Sequence, residues 1–175
     1  MSSDLLEAVR CKDSLEDMAY YLDHEDADIN FQDTNGITAL MEAAMNLDVA
    51  RMRFLLRRGA RVDLQDNKGK RALNHVYADY QGDDEGALFL AIELLLTECA
   101  DPTHNYEEGD TLLNWAASNK YERIVRHTLS IHTYTEDALW EALELVRGVR
   151  DIESLLEEKM ETYVDIADNM SLRVF

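Results

Sequence analysis

The sequence has a single proline, Pro102, and only seven glycines in 175 residues. A strand-rich fold needs tight turns at short intervals, and Pro and Gly are the residues that supply them, so their scarcity favours helices. The two cysteines, Cys11 and Cys99, lie far apart and neither sits in a CxxC pair. A disulfide framework or a zinc site therefore has no support, and both are expected as reduced thiols in the core. No apolar run approaches the roughly 18 residues that a bilayer crossing needs. The opening MSSDLLEAVR places acids where a signal peptide would carry basic residues, so the expected location is cytoplasmic.

Catalytic signatures are also missing. None of GxGxxG, GxxxxGK[ST] or GxSxG occurs. The five histidines, His24, His75, His104, His127 and His132, have no neighbouring Ser, Cys or His at a spacing that suggests a nucleophile or a metal. Asp79, Asp83, Asp84 and Glu85 could approach a hard cation, but the alternating oxygen ligands of an EF-hand are absent, and a solvated acidic loop is the expectation. No enzyme activity, cofactor or metal is expected. Basic charge is scarce too: 17 Lys and Arg against 36 Asp and Glu give a formal net charge of -19. Such a surface repels nucleic acid and anionic membrane and attracts basic proteins.

An apolar fraction of 46% excludes a disordered chain, and the length suits one domain over 1–175. Within it the sequence repeats. Asp33 recurs as Asp66, Gly36 as Gly69, Ala39-Leu40 as Ala72-Leu73, and Ala27-Asp28-Ile29 as Ala60-Arg61-Val62, every pair at the same offset. The next copy comes later than that offset predicts, Gly69 answering to Gly109 and Leu55-Leu56 to Leu95-Leu96. Seven residues have been inserted, and the turn-rich stretch 79–86 places them between two helices.

Each unit reads as a pair of helices. Thr38 and Thr111 can cap a short first helix with Leu40, Ala43 and Ala44 at helical spacing. A second follows, with Val49, Met52, Leu55 and Leu56 on one face, Arg51, Arg53, Arg57 and Arg58 mostly turned to water, and Gly59 as a left-handed cap. The small pairs Ala43-Ala44 and Ala116-Ala117 allow close approach of a neighbouring unit, and stacking is required because one pair cannot bury its apolar face.

DTNGITALMEAA and LLRRGARVD resemble the ankyrin-repeat pattern D-x-x-G-x-T-P-L-H-x-A-A through L-L-x-x-G-A-D-V-N. The usual Pro is replaced by Ala39, Ala72 or Leu112, and the usual His by Met41, Asn74 or Asn114. The resemblance implies an all-α solenoid of about five helix pairs. Its segments are an N-terminal cap repeat 4–32, repeats 33–65, 66–105 (with the insertion near 79–86) and 106–135, a C-terminal cap repeat 136–162, and a tail 163–175.

It also implies a non-catalytic protein-recognition module whose hairpin tips and first-helix surfaces meet partners. The residues expected to bind a partner, on these surfaces and on the inserted loop, are Thr34, Asn35, Met45, Asn46, Asn67, Lys68, Asp79, Asp83, Asp84, Glu85, Glu107, Glu108, Asp110, Ser118 and Asn119. Charge along the chain adds to this: 51–71 holds eight Lys and Arg, whereas 72–119 holds ten acids and no Lys or Arg. Trp115 and Trp140 fall inside first helices, where packing is the expectation. The function expected is that of an acidic inhibitor or immunity-type protein neutralising a basic protein such as a nuclease-like toxin. The alternative is an adaptor or secreted bacterial effector binding a host protein. A metal-binding or enzymatic use of the Asp79–Glu85 loop ranks below both.

Overall fold

The computed structural model describes residues 4–25, 27–78, 80–82, 84–105, 111–146 and 149–171, with side chains to residue 162. All regular structure among them is helical, in five successive pairs. The pairs are α1 (Asp4–Cys11) with α2 (Leu15–His24), α3 (Ala39–Met45) with α4 (Val49–Arg57), α5 (Ala72–Tyr77) with α6 (Glu85–Thr97), α7 (Leu112–Ser118) with α8 (Glu122–Ile131), and α9 (Glu136–Leu145) with α10 (Arg150–Ser171). The described residues divide into two compact units, one up to Asp101 and one from Pro102 onward.

The helix starts follow from local chemistry. The Thr38 hydroxyl accepts the Met41 N–H at 3.2 Å, and the Thr111 hydroxyl accepts that of Asn114 at 3.3 Å. Ser14 and Asp17 form a reciprocal capping box at the head of α2. At α5 the Thr position is taken by Arg71, whose side chain cannot accept a hydrogen bond. Instead the Asn74 Oδ1 accepts the Arg71 N–H at 2.9 Å, and the Asn74 amide donates to the Tyr77 hydroxyl at 2.9 Å.

Five helix ends share one device. In the Schellman motif a residue in the left-handed region lets two N–H groups turn back to the last carbonyls. After α4, Gly59 (φ 92°) donates to the Leu56 carbonyl and Ala60 to that of Leu55. The same pairs close α1 at Lys12, α3 at Leu47, α6 at Cys99 and α7 at Lys120, with φ between 50° and 64°.

This explains one departure from expectation. Cys99 occupies the place of Gly59 in the repeat, where a side chain is thrown clear of the helix pair, and a Cβ built on Gly59 meets nothing within 4 Å. Cys99 is accordingly exposed and not a core thiol, and Cys11, on the outer face of α1, is exposed as well.

The core of the first unit stacks α1, α3 and α5, with α4 and α6 behind. Leu40, Met41, Ala43, Ala44, Met52, Leu55, Leu88, Ile92 and Leu95 are all at most 1% exposed. In the second unit α7 packs on α8 and α9, and α10 on α8 and α9, around Leu112, Ala116, Ile124, Val125, Leu139 and Leu156.

Two further expectations are corrected. The inserted length is not confined to the turn. The connection widens from 46–48 in the second pair to 78–84 in the third, and α6 has 13 residues against nine in α4, while α5 has six against seven in α3. The insertion is thus shared between a longer connection and a longer second helix. Nor does Arg51 face water. Its side chain is 16% exposed, paired with Asp48, and donates to the Asp13 carbonyl at 2.6 Å in the turn between α1 and α2. Helical backbone continues to Ser171, through most of the segment expected as a tail.

Candidate functional site

The repeat places a D-x-x-G turn ahead of α3 and of α5. In the turn at Asp33 the Gly36 N–H returns to the Asp33 carbonyl at 2.9 Å, and the Asp33 side chain accepts from the N–H groups of Asn35 and Ile37. Gly36, at φ 81°, closes it. The turn at Asp66 repeats this with Gly69, Lys68 and Lys70. The two tips are locked together. Asn67 donates its N–H to the Asn35 carbonyl and its amide to the Thr34 carbonyl, both at 2.9 Å, and the Gln32 amide bridges the carbonyls of Gly36 and Gln65. A Cβ on Gly36 would fall 2.8 Å from the Asp66 Cα, so only glycine lets the tips approach this closely.

Each turn aspartate is then tied to a helix. Asp66 Oδ2 lies 3.0 Å from His75 Nε2, both side chains being almost fully buried. Asp33 instead receives Arg10 from α1 at 2.8 Å, and the same guanidinium reaches Glu42 at 3.1 Å. Burial alone would push the Asp33 carboxyl up; the Arg10 guanidinium and the N–H groups of Ile37 and Asn35 more than reverse this and hold it below the usual carboxylate range.

The expected surface residues fall into three sets. In the first unit Thr34, Asn35, Asn67 and Lys68 are exposed on the locked tips, and Met45 and Asn46 are exposed at the end of α3. Met45, Asn46, His75, Val76, Tyr80 and Gln81 line a cleft of about 360 Å³ beside the inserted segment. Asn46 also has a local task, its amide donating to the Glu42 carbonyl at 2.8 Å. In the second unit Ser118 and Asn119 are exposed at the corresponding end of α7, where the Asn119 amide donates to the Trp115 carbonyl at 2.8 Å. Asp79, Asp83, Glu107, Glu108 and Asp110 lie outside the described residues.

Asp84 and Glu85 open a helix, where the sequence pointed to a loop. The Asp84 carboxylate caps α6 by accepting the Ala87 N–H at 2.9 Å, and Glu85 is the first residue of that helix. Both are placed where acids stabilise a helix start. No group of three His, Cys, Asp or Glu is arranged to hold a metal ion among the described residues.

Four of the eight basic residues of 51–71 pair with carboxylates of the first unit. Arg58 grips Asp23 at 2.6 Å, Arg61 pairs with Asp63 at 3.0 Å and Arg71 with Asp101 at 3.6 Å, in addition to the Arg51 pair. Spacing along the chain gave no hint of Asp23 and Asp101 as partners, because each lies about one repeat away from its arginine and only stacking brings them together. Trp140 also departs from expectation. It is 51% exposed, whereas Trp115 is half-buried and stacked on Tyr121 at 5.1 Å.

Locked turns, capped short helices and Schellman-ended helices define a repeat scaffold whose product is a surface. The chain belongs to the ankyrin-repeat family: the family model for ankyrin repeats, in three copies, matches residues 5–91, from α1 into α6. Members of this family are in general non-catalytic protein–protein interaction modules. No curated protein matches the chain. No helix among the described residues is long and apolar enough to cross a membrane.

Proposed function

We propose that this ankyrin-repeat protein is an acidic inhibitor or immunity-type protein that binds and neutralises a basic protein partner, of which a nuclease-like toxin is the model. The observation that carries the reading is where the positive charge goes. Arg10, Arg51, Arg58, Arg61, Arg71 and Arg126 each spend their charge on a carboxylate of the same chain. Against a formal net charge of -19, that leaves an outward field dominated by carboxylates. Opposite charge speeds encounter and disfavours wrong partners, so a basic protein is the natural complement. The contact surface proposed is the locked tips and the Met45 cleft, together with Ser118, Asn119 and the acids Asp79, Asp83, Asp84, Glu85, Glu107, Glu108 and Asp110.

The test is capture of the partner from the source cell at low and at high ionic strength, followed by association kinetics with the purified partner. A basic protein whose on-rate falls steeply with salt, and whose own activity stops when it is bound, is the expected result. Reversing Asp83, Glu107 and Glu108 to Lys should then remove binding while leaving thermal stability unchanged. Asp84 is left out because it caps α6. A partner that is neutral or acidic, bound equally well at high salt, would overturn the inhibitor reading and favour an adaptor or effector.

A further inference from the structure

We infer that the exposed face of α4 is a second interface, one that takes an acidic segment of a protein partner on Arg53 and Arg57. The inference is independent of the basic-partner reading, since it concerns another helix surface of the first unit and the opposite charge. Helix α4 reads VARMRFLLR and holds no acid. Met52 and Leu55 take its buried side, and Arg53 and Arg57, four residues apart, share an exposed one. Arg51 and Arg58 of the same helix are each engaged by a carboxylate, of Asp48 and of Asp23. Among the described residues Arg53 and Arg57 meet none, although the chain holds 36 acids. Two like charges one turn apart weaken a helix, so this pair does not serve the fold. The neighbouring α2, tied to α4 by Asp23 and Arg58, adds Tyr20, which is 53% exposed and stacked on His24 at 4.7 Å. Tyr and Arg are among the side chains in which interface energy concentrates.

Charge and geometry select the occupant. Side chains one helical turn apart stand about 5–6 Å from each other at Cβ, so the two guanidinium forks match two carboxylates at the same spacing on an acidic segment, each pairing bidentately. A basic segment would be repelled here, and an apolar one would leave both guanidinium groups desolvated and unpaired. Nucleic acid also offers anions, but it presents them along its whole length to a chain of net charge -19 and is held off by that field. A short acidic segment is held off less. At about 0.15 M salt, charge interactions fade beyond about 8 Å, which screens the distant acids of the chain while the two contacts remain.

The test titrates the intact protein, at physiological ionic strength, with a labelled and blocked Glu-Ala-Ala-Ala-Glu-Ala-Ala-Ala-Glu peptide. The same peptide with Lys in place of Glu, and a short thymidine oligonucleotide, are the controls. Three double variants are compared: Arg53→Gln with Arg57→Gln, Arg53→Lys with Arg57→Lys, and Lys120→Gln with Arg150→Gln, which removes the same charge from the second unit. The wild-type protein should bind the acidic peptide and neither control. The Arg53/Arg57 glutamine pair should bind it about three- to thirty-fold more weakly, the range of two solvent-exposed ion pairs. The lysine pair should recover only part of this, because an ammonium has no fork, and the Lys120/Arg150 pair should lose less than the Arg53/Arg57 glutamine pair. The melting temperature of the Arg53/Arg57 glutamine pair should be unchanged or higher, since a like-charge repulsion is removed. A melting temperature several degrees lower would show that the two arginines serve the fold, and equal losses for the two glutamine pairs would leave only a general field; either overturns the inference. So does a wild-type protein that ignores the acidic peptide or binds the oligonucleotide as tightly. None of these outcomes bears on the basic partner, whose capture is a separate measurement.

Discussion

At the scale of single residues, the left-handed positions decide more than the sequence advertises. Lys12, Leu47, Cys99 and Lys120 stand where a glycine would be relaxed. A side chain in this region costs about 1–2 kcal/mol, and glycine gives back about 0.5–1 kcal/mol through the freedom of the unfolded chain. Cys99→Gly should therefore stabilise the protein by about 0.5–1 kcal/mol, measured by urea unfolding. Destabilisation would mean that the thiol makes contacts its exposure does not suggest. Gly36→Ala should do the reverse and cost more than about 1 kcal/mol, since it combines a φ of 81° with a 2.8 Å approach to main chain.

Ionisation belongs to the same scale. Asp33, Asp48, Asp23 and Asp63 are all held below the usual carboxylate range, Asp33 and Asp48 against the opposing effect of burial. A carboxylate lowered by folding stabilises the native state above its unfolded pKa of about 3.9 and loses that contribution as the pH falls through its folded value. The melting temperature should fall steeply below about pH 4. The acid limb should be shallower in Asp33→Asn, which no longer titrates at that position; an unchanged limb would place the acid sensitivity elsewhere.

At the scale of elements, much of the architecture is legible because backbone needs leave marks at fixed intervals. A glycine closing a turn that an aspartate opens, and a threonine before a short apolar helix, return from one repeat to the next. They predicted the turns at Asp33 and Asp66, the Thr38 and Thr111 caps and the end of α4 at Gly59. What stayed hidden depends on long-range partners. Arg51 has the spacing of a solvent-facing residue on α4 yet is drawn inward by the Asp13 carbonyl of the preceding repeat. Trp140 has the position of a packed first-helix residue yet lies open, since Leu139 and Ala142 take the buried side. The insertion was locatable, but not its division between a wider connection and a longer α6, because Asp84 can begin a helix as readily as it can sit in a loop.

Two substitutions test the packing of these elements. Leu55→Ala in α4 and Leu95→Ala in α6 remove side chains that are 0% exposed. Each should cost about 2–5 kcal/mol, with a change below about 0.5 kcal/mol showing that the site is not core. Arg51→Met keeps the aliphatic stem but strips the Asp13 carbonyl and Asp48 of their donor. A loss of about 1–3 kcal/mol is expected for these partly buried, charge-assisted bonds, and no loss would mean that water replaces the guanidinium freely.

At the scale of the whole molecule, net charge sets two salt dependences of opposite sign. With a formal charge of -19, the folded chain repels itself, and compaction raises that cost. The internal ion pairs oppose it, but Arg58 with Asp23, Arg61 with Asp63 and Arg126 with Glu122 are open to solvent at both ends. Such surface pairs contribute little. Salt shortens the range of charge interactions from about 30 Å at 0.01 M to about 8 Å at 0.15 M, and so relieves more repulsion than it removes attraction. The melting temperature should rise over this interval, by about 2–4 °C for each kcal/mol of repulsion relieved in a chain of this size. The association rate with a basic protein should fall over the same interval, because the field that steers the partner is the one being screened. Both are read on one sample series, by thermal melts and stopped-flow binding. A melting temperature that falls with salt would show that the ion pairs outweigh the surplus of acid, and with it the argument that the cations are spent internally while the carboxylates face outward would fail.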